Sequence, residues 1–152
     1  MDQARISLPS PAVSATRWRT LIVDDHPLFR QGLQGILRLD PEIEVCGEAG
    51  NAAEAWEQFC KTGANFVTVD ISLGGGNGLD LVRRMKAARP EVMVLVVSMH
   101  DEIVYAKCAL EAGAAGYVCK HAASDEICTA LRVLRKGSVY VSDEILKHLL
   151  QS

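Results

Sequence analysis

Five polar residues stand at the ends of short apolar runs in this chain. Asp24 and Asp25 follow residues 20–23, Asp70 follows 66–69, Ser98 follows 92–97, and Lys120 lies just beyond 116–118. In a right-handed parallel α/β sheet, groups at the carboxyl ends of the strands collect along one edge. Three carboxylates gathered there repel one another at neutral pH and need a cation to offset them. An oxygen cluster without His or Cys points to Mg2+ rather than zinc. Lys120 and Ser98 then supply a positive charge and a hydroxyl donor suited to phosphoryl oxygens, and one Asp is left as a nucleophile of the aspartyl-phosphate type. Taken singly, each residue has a plainer role: an Asp after a strand caps the next helix, Ser98 forms a turn, and Lys120 is a surface charge. The joint order Asp-Asp, Asp, Ser, Lys on successive strand ends favours the site.

Such a site needs elements to position it. Apolar runs alternate with helical patterns five times, which predicts five βα units and an α/β fold. The runs are 20–23, 43–49, 66–69, 92–97 and 116–118. In the second, Ile43, Val45, Gly47 and Ala49 alternate with Glu44, Cys46 and Glu48, the pattern of an edge strand with one wetter face. Pro27 suits the first position of a helix, with Phe29, Leu33, Ile36 and Leu37 on one face behind it. Asn51 with Glu54 resembles a capping box for a second helix that Gly63 ends, and further helices are predicted over 78–89, 102–112 and 124–136. Trp56, Phe59, Ala52 and Ala55 read as core contacts of the second helix. After Gly137 come a short extended piece at 139–141 and a fresh N-cap, Ser142-Asp143-Glu144, ahead of Ile145, Leu146, Leu149 and Leu150. This end reads as the start of a linker, or as a terminal helix packed on the domain.

Composition narrows the function. The 152 residues suit one domain, and a net charge of −3 gives counterion release from nucleic acid little to work with. Arg132, Arg135 and Lys136 close a helix and read as a dipole-matched terminus rather than a nucleic-acid patch. Five cysteines, at 46, 60, 108, 119 and 128, lie in apolar stretches without C-x-x-C spacing, so neither a disulfide framework nor a zinc site is expected. That cysteine usage fits a reducing, cytoplasmic location, and the longest apolar run, 92–97, is far short of the roughly 20 residues of a membrane span. Residues 1–18, rich in Ser, Ala and Pro, read as a disordered leader without a secretory signal.

At these residues the sequence resembles the receiver domain of two-component response regulators, more narrowly the NarL/FixJ (LuxR-type) transcriptional regulators. The motifs are LIVDDHPLFR from residue 21, VDISL from 69 with Asn77-Gly78-Leu79 after it, VSMHD from 97, and ALEAGAAGYVCK from 109. The resemblance implies a flavodoxin-like, doubly wound, five-stranded parallel sheet of order 2-1-3-4-5 with five helices. It implies a receiver domain over 19–137 and, over 138–152, the start of a linker toward a C-terminal helix-turn-helix domain absent from this chain.

It further implies that Asp70 accepts a phosphoryl group from a sensor histidine kinase. Asp25 and Asp70, with the backbone carbonyl of Ser72, would hold Mg2+, and Asp24 would act on the ion through a water. Lys120 and Ser98 would bind phosphoryl oxygens, and Tyr117 would be the aromatic switch. Homodimerisation would follow phosphorylation, and DNA would be reached only through the absent domain. The domain would signal rather than turn over substrate, with self-phosphorylation and self-dephosphorylation at most. Met99 and His100 are candidates for tuning access to the phosphoryl group or its lifetime, while His26, His100 and His121 otherwise read as loop or helix-start residues near the site.

The sequence departs from the family at Met99, where many receivers carry a smaller residue, and in one loop. Gly74 stands where Pro is common, and Gly74-Gly75-Gly76 predicts a mobile loop beside an intact site. Without a following Lys-Ser/Thr the run is not a phosphate-cradling P-loop. Two other readings compete. A phosphohydrolase of the haloacid-dehalogenase kind needs a general acid two residues after its nucleophile, where this chain has Ser72. An FMN-binding module is disfavoured by the acids after the first strand, which would repel a phosphate.

Overall fold

The structure, a computed structural model, describes residues 17–74, 76–100, 103–121 and 124–151. Five parallel strands form the main sheet: β1 (Trp18–Val23), β2 (Ile43–Ala49), β3 (Phe66–Val69), β4 (Met93–Ser98) and β5 (Gly116–Cys119), in the order β2-β1-β3-β4-β5. The helices are α1 (Pro27–Leu37), α2 (Ala52–Thr62), α3 (Gly78–Ala88), α4 (Ile103–Ala112), α5 (Ser124–Arg135) and α6 (Asp143–Gln151). This is the flavodoxin-like arrangement expected, with a sixth helix added. Most of the expected leader lies outside the described residues, and β1 begins at Trp18, two residues before the apolar run at 20–23.

Alternation along the central strands builds two cores. Leu21, Val23, Val67, Val69, Val94 and Val96 face α2, α3 and α4, meeting Phe59, Val82, Met85 and Ala106; Ile22, Phe66, Leu95 and Val97 face α1 and α5, meeting Leu33, Leu37, Leu131 and Leu134. Each such Leu or Phe contributes roughly 1.5–3 kcal/mol by leaving water. Helix ends follow the sequence signals. Asn51 Oδ1 accepts from the Glu54 amide at 2.8 Å, Glu54 Oε1 accepts from the Gly50 amide at 2.9 Å, and Gly63 closes α2 with φ 66°.

Two features differ from the simple pattern. β2 is the edge strand expected, but its register shifts opposite Thr20 and Leu21, which pair with Val45 and Gly47 and leave Cys46 as an extra residue. Ile43 and Val45 therefore join the α1/α5 core while Cys46 and Ala49 join the other, where strict alternation would keep Ile43 and Ala49 on one face. The second is the C-terminal segment. The Tyr140 amide donates to the Ala115 carbonyl at 2.9 Å and its carbonyl accepts from the Tyr117 amide at 3.0 Å, laying this residue beside β5. Ser142 Oγ then caps α6 by accepting from the Ile145 amide at 3.3 Å, and Ile145 is buried in the core with α4. Among the described residues no helix is long and apolar enough to cross a membrane.

Candidate functional site

Strand register brings the polar ends together. Val23 pairs with Val69, Val69 with Val96, and Ser98 with Cys119, so the residues that follow emerge along one edge. The ladder runs one residue further at each position: the Asp24 amide donates to Ala49, the Asp70 amide to Val23, and the Lys120 amide to Ser98. Asp24 and Asp70 are each 2 % exposed and Ser98 is fully buried.

Lys120 is the centre of this group. Its Nζ lies 2.7 Å from Asp24 Oδ2 and 2.8 Å from Asp70 Oδ2, and 4.5 Å from the centre of the Phe29 ring. Burial raises the Asp70 carboxyl above the ordinary value, and the Asp24 charge adds to this; the hydrogen bond and charge of Lys120 offset only part of it. Asp24 Oδ1 accepts from the His26 amide at 2.8 Å, which turns the chain into α1, where Pro27 takes the first position.

His26 is the residue whose role the sequence underrated. Its Nδ1 stands 3.0 Å from Asp24 Oδ1, 3.0 Å from Asp25 Oδ1, 3.9 Å from Asp70 Oδ2 and 3.1 Å from Lys120 Nζ. One ligand atom from each of Asp24, Asp25, His26 and Asp70 lies within 4.8 Å of the others, so the cluster is not purely oxygen. The signal was its place between an acidic pair and a helix-starting Pro. Asp25 Oδ1 is buried without a hydrogen bond, the His26 Nδ1 3.0 Å away making none with it. An acidic cluster with an unbonded buried oxygen suits a divalent cation.

The remaining candidates form a chain of contacts beside the acids. Ser98 Oγ accepts from the His100 amide at 3.2 Å, and the Tyr117 hydroxyl donates to the His100 carbonyl from a ring only 1 % exposed. The His100 ring stacks on Tyr105 at 4.2 Å, with its Nε2 3.4 Å from Ser72 Oγ. The Ser72 amide donates to Asp70 Oδ1 at 3.2 Å. Met99 is half exposed, and its carbonyl receives the Cys119 thiol at 3.9 Å. His121 is set apart from the acids and lines a cavity of about 310 Å³ with Tyr117, Cys119, Glu126 and Ile145. Tyr105 was not singled out in the sequence, since an aromatic on a helix reads as core.

Residues 20–132 match the family model described as "Response regulator receiver domain". The chain is 32% identical over 139 residues to the transcriptional regulatory protein DegU of Brevibacillus brevis, covering 91% of this chain and 59% of that protein. It is 33% identical over 137 residues to the nitrate/nitrite response regulator protein NarP of Escherichia coli (strain K12), covering 89% and 63%. The chain thus spans about 60% of the length of these relatives. A crystal structure of a LuxR-family two-component response regulator from Aurantimonas sp. SI85-9A1 superposes with a TM-score of 0.82 at 30% identity, covering 89% of this chain and 96% of that one. With the family model matching residues 20–132, relatives above 30% identity and the same fold, the chain belongs to the receiver domains of two-component response regulators.

Proposed function

We propose that this domain takes a phosphoryl group onto Asp70 and converts it into a change of surface. The observation that carries the reading is the Lys120 ammonium, held between buried Asp24 and Asp70 at the carboxyl edge of the sheet. An Asp70 carboxylate oxygen attacks the phosphorus of a kinase phosphohistidine and forms a P–O bond. The P–N bond breaks, its electron pair stays on the imidazole nitrogen, and that nitrogen takes up a proton. Little covalent chemistry is asked of the protein, so positioning and charge do most of the work.

Mg2+ suits the donor set. Asp25 and Asp70 with the Ser72 carbonyl would hold it, Asp24 would act through a water, and the ion would neutralise charge on the phosphoryl oxygens. His26 is more than half exposed where Asp24 and Asp70 are buried, so its ring is the movable part of the cluster. Lys120 and Ser98 bind phosphoryl oxygens, with Ser98 giving up its bond from the His100 amide. That exchange reaches Tyr117 through the His100 carbonyl and biases a pre-existing equilibrium. Met99, His100 and Ser72, at the mouth of the site, tune access and lifetime; chemistry beyond phosphoryl uptake is limited to self-phosphorylation and self-dephosphorylation.

In the wider reading the donor is a sensor histidine kinase in the cytoplasm and phosphorylation favours a homodimer. Residues 138–151 pack on the domain through Tyr140 and Ile145 and lead toward a DNA-binding domain in the part of the relatives that this chain does not span. Incubation with Mg2+ and a small acyl phosphate tests the core of the proposal: one phosphoryl group adds by intact mass, and undiminished uptake by Asp70→Asn would sink it. Steady hydrolysis of phosphate esters would favour a phosphohydrolase instead.

A further inference from the structure

The loop after β3 leaves Asp70 and comes straight back to it. Ser72–Leu73 pairs antiparallel with Gly76–Asn77, and the Gly78 amide donates to the Ile71 carbonyl at 2.8 Å. Asn77 Oδ1 accepts from the Leu79 amide at 2.8 Å and fixes the first turn of α3 at this point. Gly78 is buried there, against the backbone of the acceptor. A β-carbon on residue 78 would stand 2.0 Å from the Asp70 carbonyl oxygen, 2.8 Å from its carbonyl carbon and 2.9 Å from Ile71 Cα. All three are backbone atoms, which cannot swing aside as a side-chain end can.

The glycine run in the same loop behaves differently. A β-carbon on Gly74 would make only an ordinary contact, 3.7 Å from Asp25 Oδ2; one on Gly76 would stand 3.0 Å from the Ala52 Cβ, a side-chain contact away from the Asp70 backbone, and neither glycine has a positive φ. The requirement for glycine near the acceptor falls on Gly78.

We propose that Gly78 is a positioning residue for the acceptor: its bare backbone lets α3 close on the Asp70 carbonyl, and that closure sets the Asp70 carboxylate beside Lys120. The inference rests on the reading of Asp70 as phosphoacceptor. The front of Asp70 is fixed by the hydrogen bond its N–H donates to the Val23 carbonyl at 3.0 Å, so a side chain pushing on its own carbonyl pivots the residue. The carboxylate then leaves its 2.8 Å approach to Lys120. A misplacement of about 1 Å at a reacting group can cost on the order of a hundredfold in rate.

The test compares Gly78→Ala, Gly74→Ala and Gly63→Ala in the full chain. Gly63 has φ 66° and ends α2, so its substitution brings backbone strain without contact with the site. Uptake from a small acyl phosphate with Mg2+, read by intact mass well below each unfolding midpoint, is expected to fall about tenfold or more in Gly78→Ala. The other two variants are expected to stay within about twofold of the unaltered protein. Mg2+ affinity, read by calorimetry, supplies a second readout. Gly78→Ala weakens it in the parent chain but adds nothing in an Asp70→Asn background, the non-additivity of a residue acting through its neighbour.

Full uptake in folded Gly78→Ala, an equal loss in Gly63→Ala, or equal Mg2+ weakening in both backgrounds overturns the proposal. If Gly78→Ala does not fold, Asn77→Ala decides, because it adds no atom and only releases the first turn of α3. Slower uptake there supports the inference, and unchanged uptake overturns it. If Asp70→Asn itself takes up phosphoryl at the parent rate, the acceptor reading fails first, and that outcome is distinguishable from the others.

Discussion

Lys120 Nζ and Asp70 Oδ2 lie 2.8 Å apart at side chains only 4% and 2% exposed, and Asp24 shares the same ammonium at 2.7 Å. Removing a buried cation leaves its carboxylates uncompensated, which costs far more than an exposed pair is worth. Lys120→Met is therefore expected to lose about 3 kcal/mol or more of stability, read from urea unfolding without Mg2+. Adding Asp70→Asn to Lys120→Met recovers part of it, because one charge fewer is stranded. An unchanged midpoint in Lys120→Met would show that the pair carries no net stability.

Tyr140 ties the C-terminal segment to α5 through its hydroxyl, which donates to Glu126 Oε1 at 3.2 Å. Burial, then the Glu126 charge and hydrogen bond, then Asp143 push its phenol up from 10.0 to about 12. The unfolded chain loses this proton first, so stability present below about pH 10 is lost as pH rises through about 12. In an ultraviolet titration, the Tyr140 phenol is expected to ionise late, and Tyr140→Phe to remove that late phase. A titration identical in both proteins would contradict the assignment.

Asp40 works at the opposite limb. Burial raises its carboxyl, but the Arg135 hydrogen bond, the Glu42 amide and the Arg135 charge outweigh burial and leave it below the ordinary 3.8. A lowered folded value stabilises above the unfolded one and is lost as pH falls through the folded value. Arg135 Nη1 lies 2.7 Å from Asp40 Oδ2, joining α5 to the turn before β2. Melting temperatures of the parent and Asp40→Asn are expected to differ at neutral pH, and the gap to begin closing near pH 3.8 and vanish only below the folded value. A gap that persists in acid would rule out this pair as its source.

Much of the fold was legible because each element carried its own signal. Pro27, Asn51 with Glu54, and Gly63 mark helix ends that the structure reproduces, and the wetter pattern of 43–49 marked the edge strand. The β-bulge at Cys46 was not legible, since a register shift depends on the neighbouring strand and leaves no local pattern. The acids, Ser98 and Lys120 were legible as strand ends. His26 was not, because its approach to three carboxylates depends on the turn that Asp24 makes with the His26 amide. The triple glycine drew attention by its rarity, yet Gly78, in plain view of the Asn77-Gly78-Leu79 motif, is where the backbone crowds most tightly.

Two buried hydroxyls offer a stability test independent of the site. Thr20 Oγ1 and Thr68 Oγ1 have no hydrogen-bond partner among the described residues, on neighbouring strands β1 and β3. An unpartnered buried hydroxyl costs about 1–3 kcal/mol, so the isosteric Thr68→Val is expected to stabilise by about 1 kcal/mol in thermal unfolding. A lower melting temperature would mean that the hydroxyl is satisfied in solution.

The most direct test of the central claim is to locate the phosphoryl group itself. After incubation with Mg2+ and a small acyl phosphate, borohydride reduction converts an acyl phosphate to an alcohol that survives digestion and marks its residue in peptide mass spectra. Reduction confined to Asp70, and absent from Asp70→Asn, is the predicted result. A mark on Asp24 or Asp25, or none in a protein that has gained phosphoryl mass, would contradict the account.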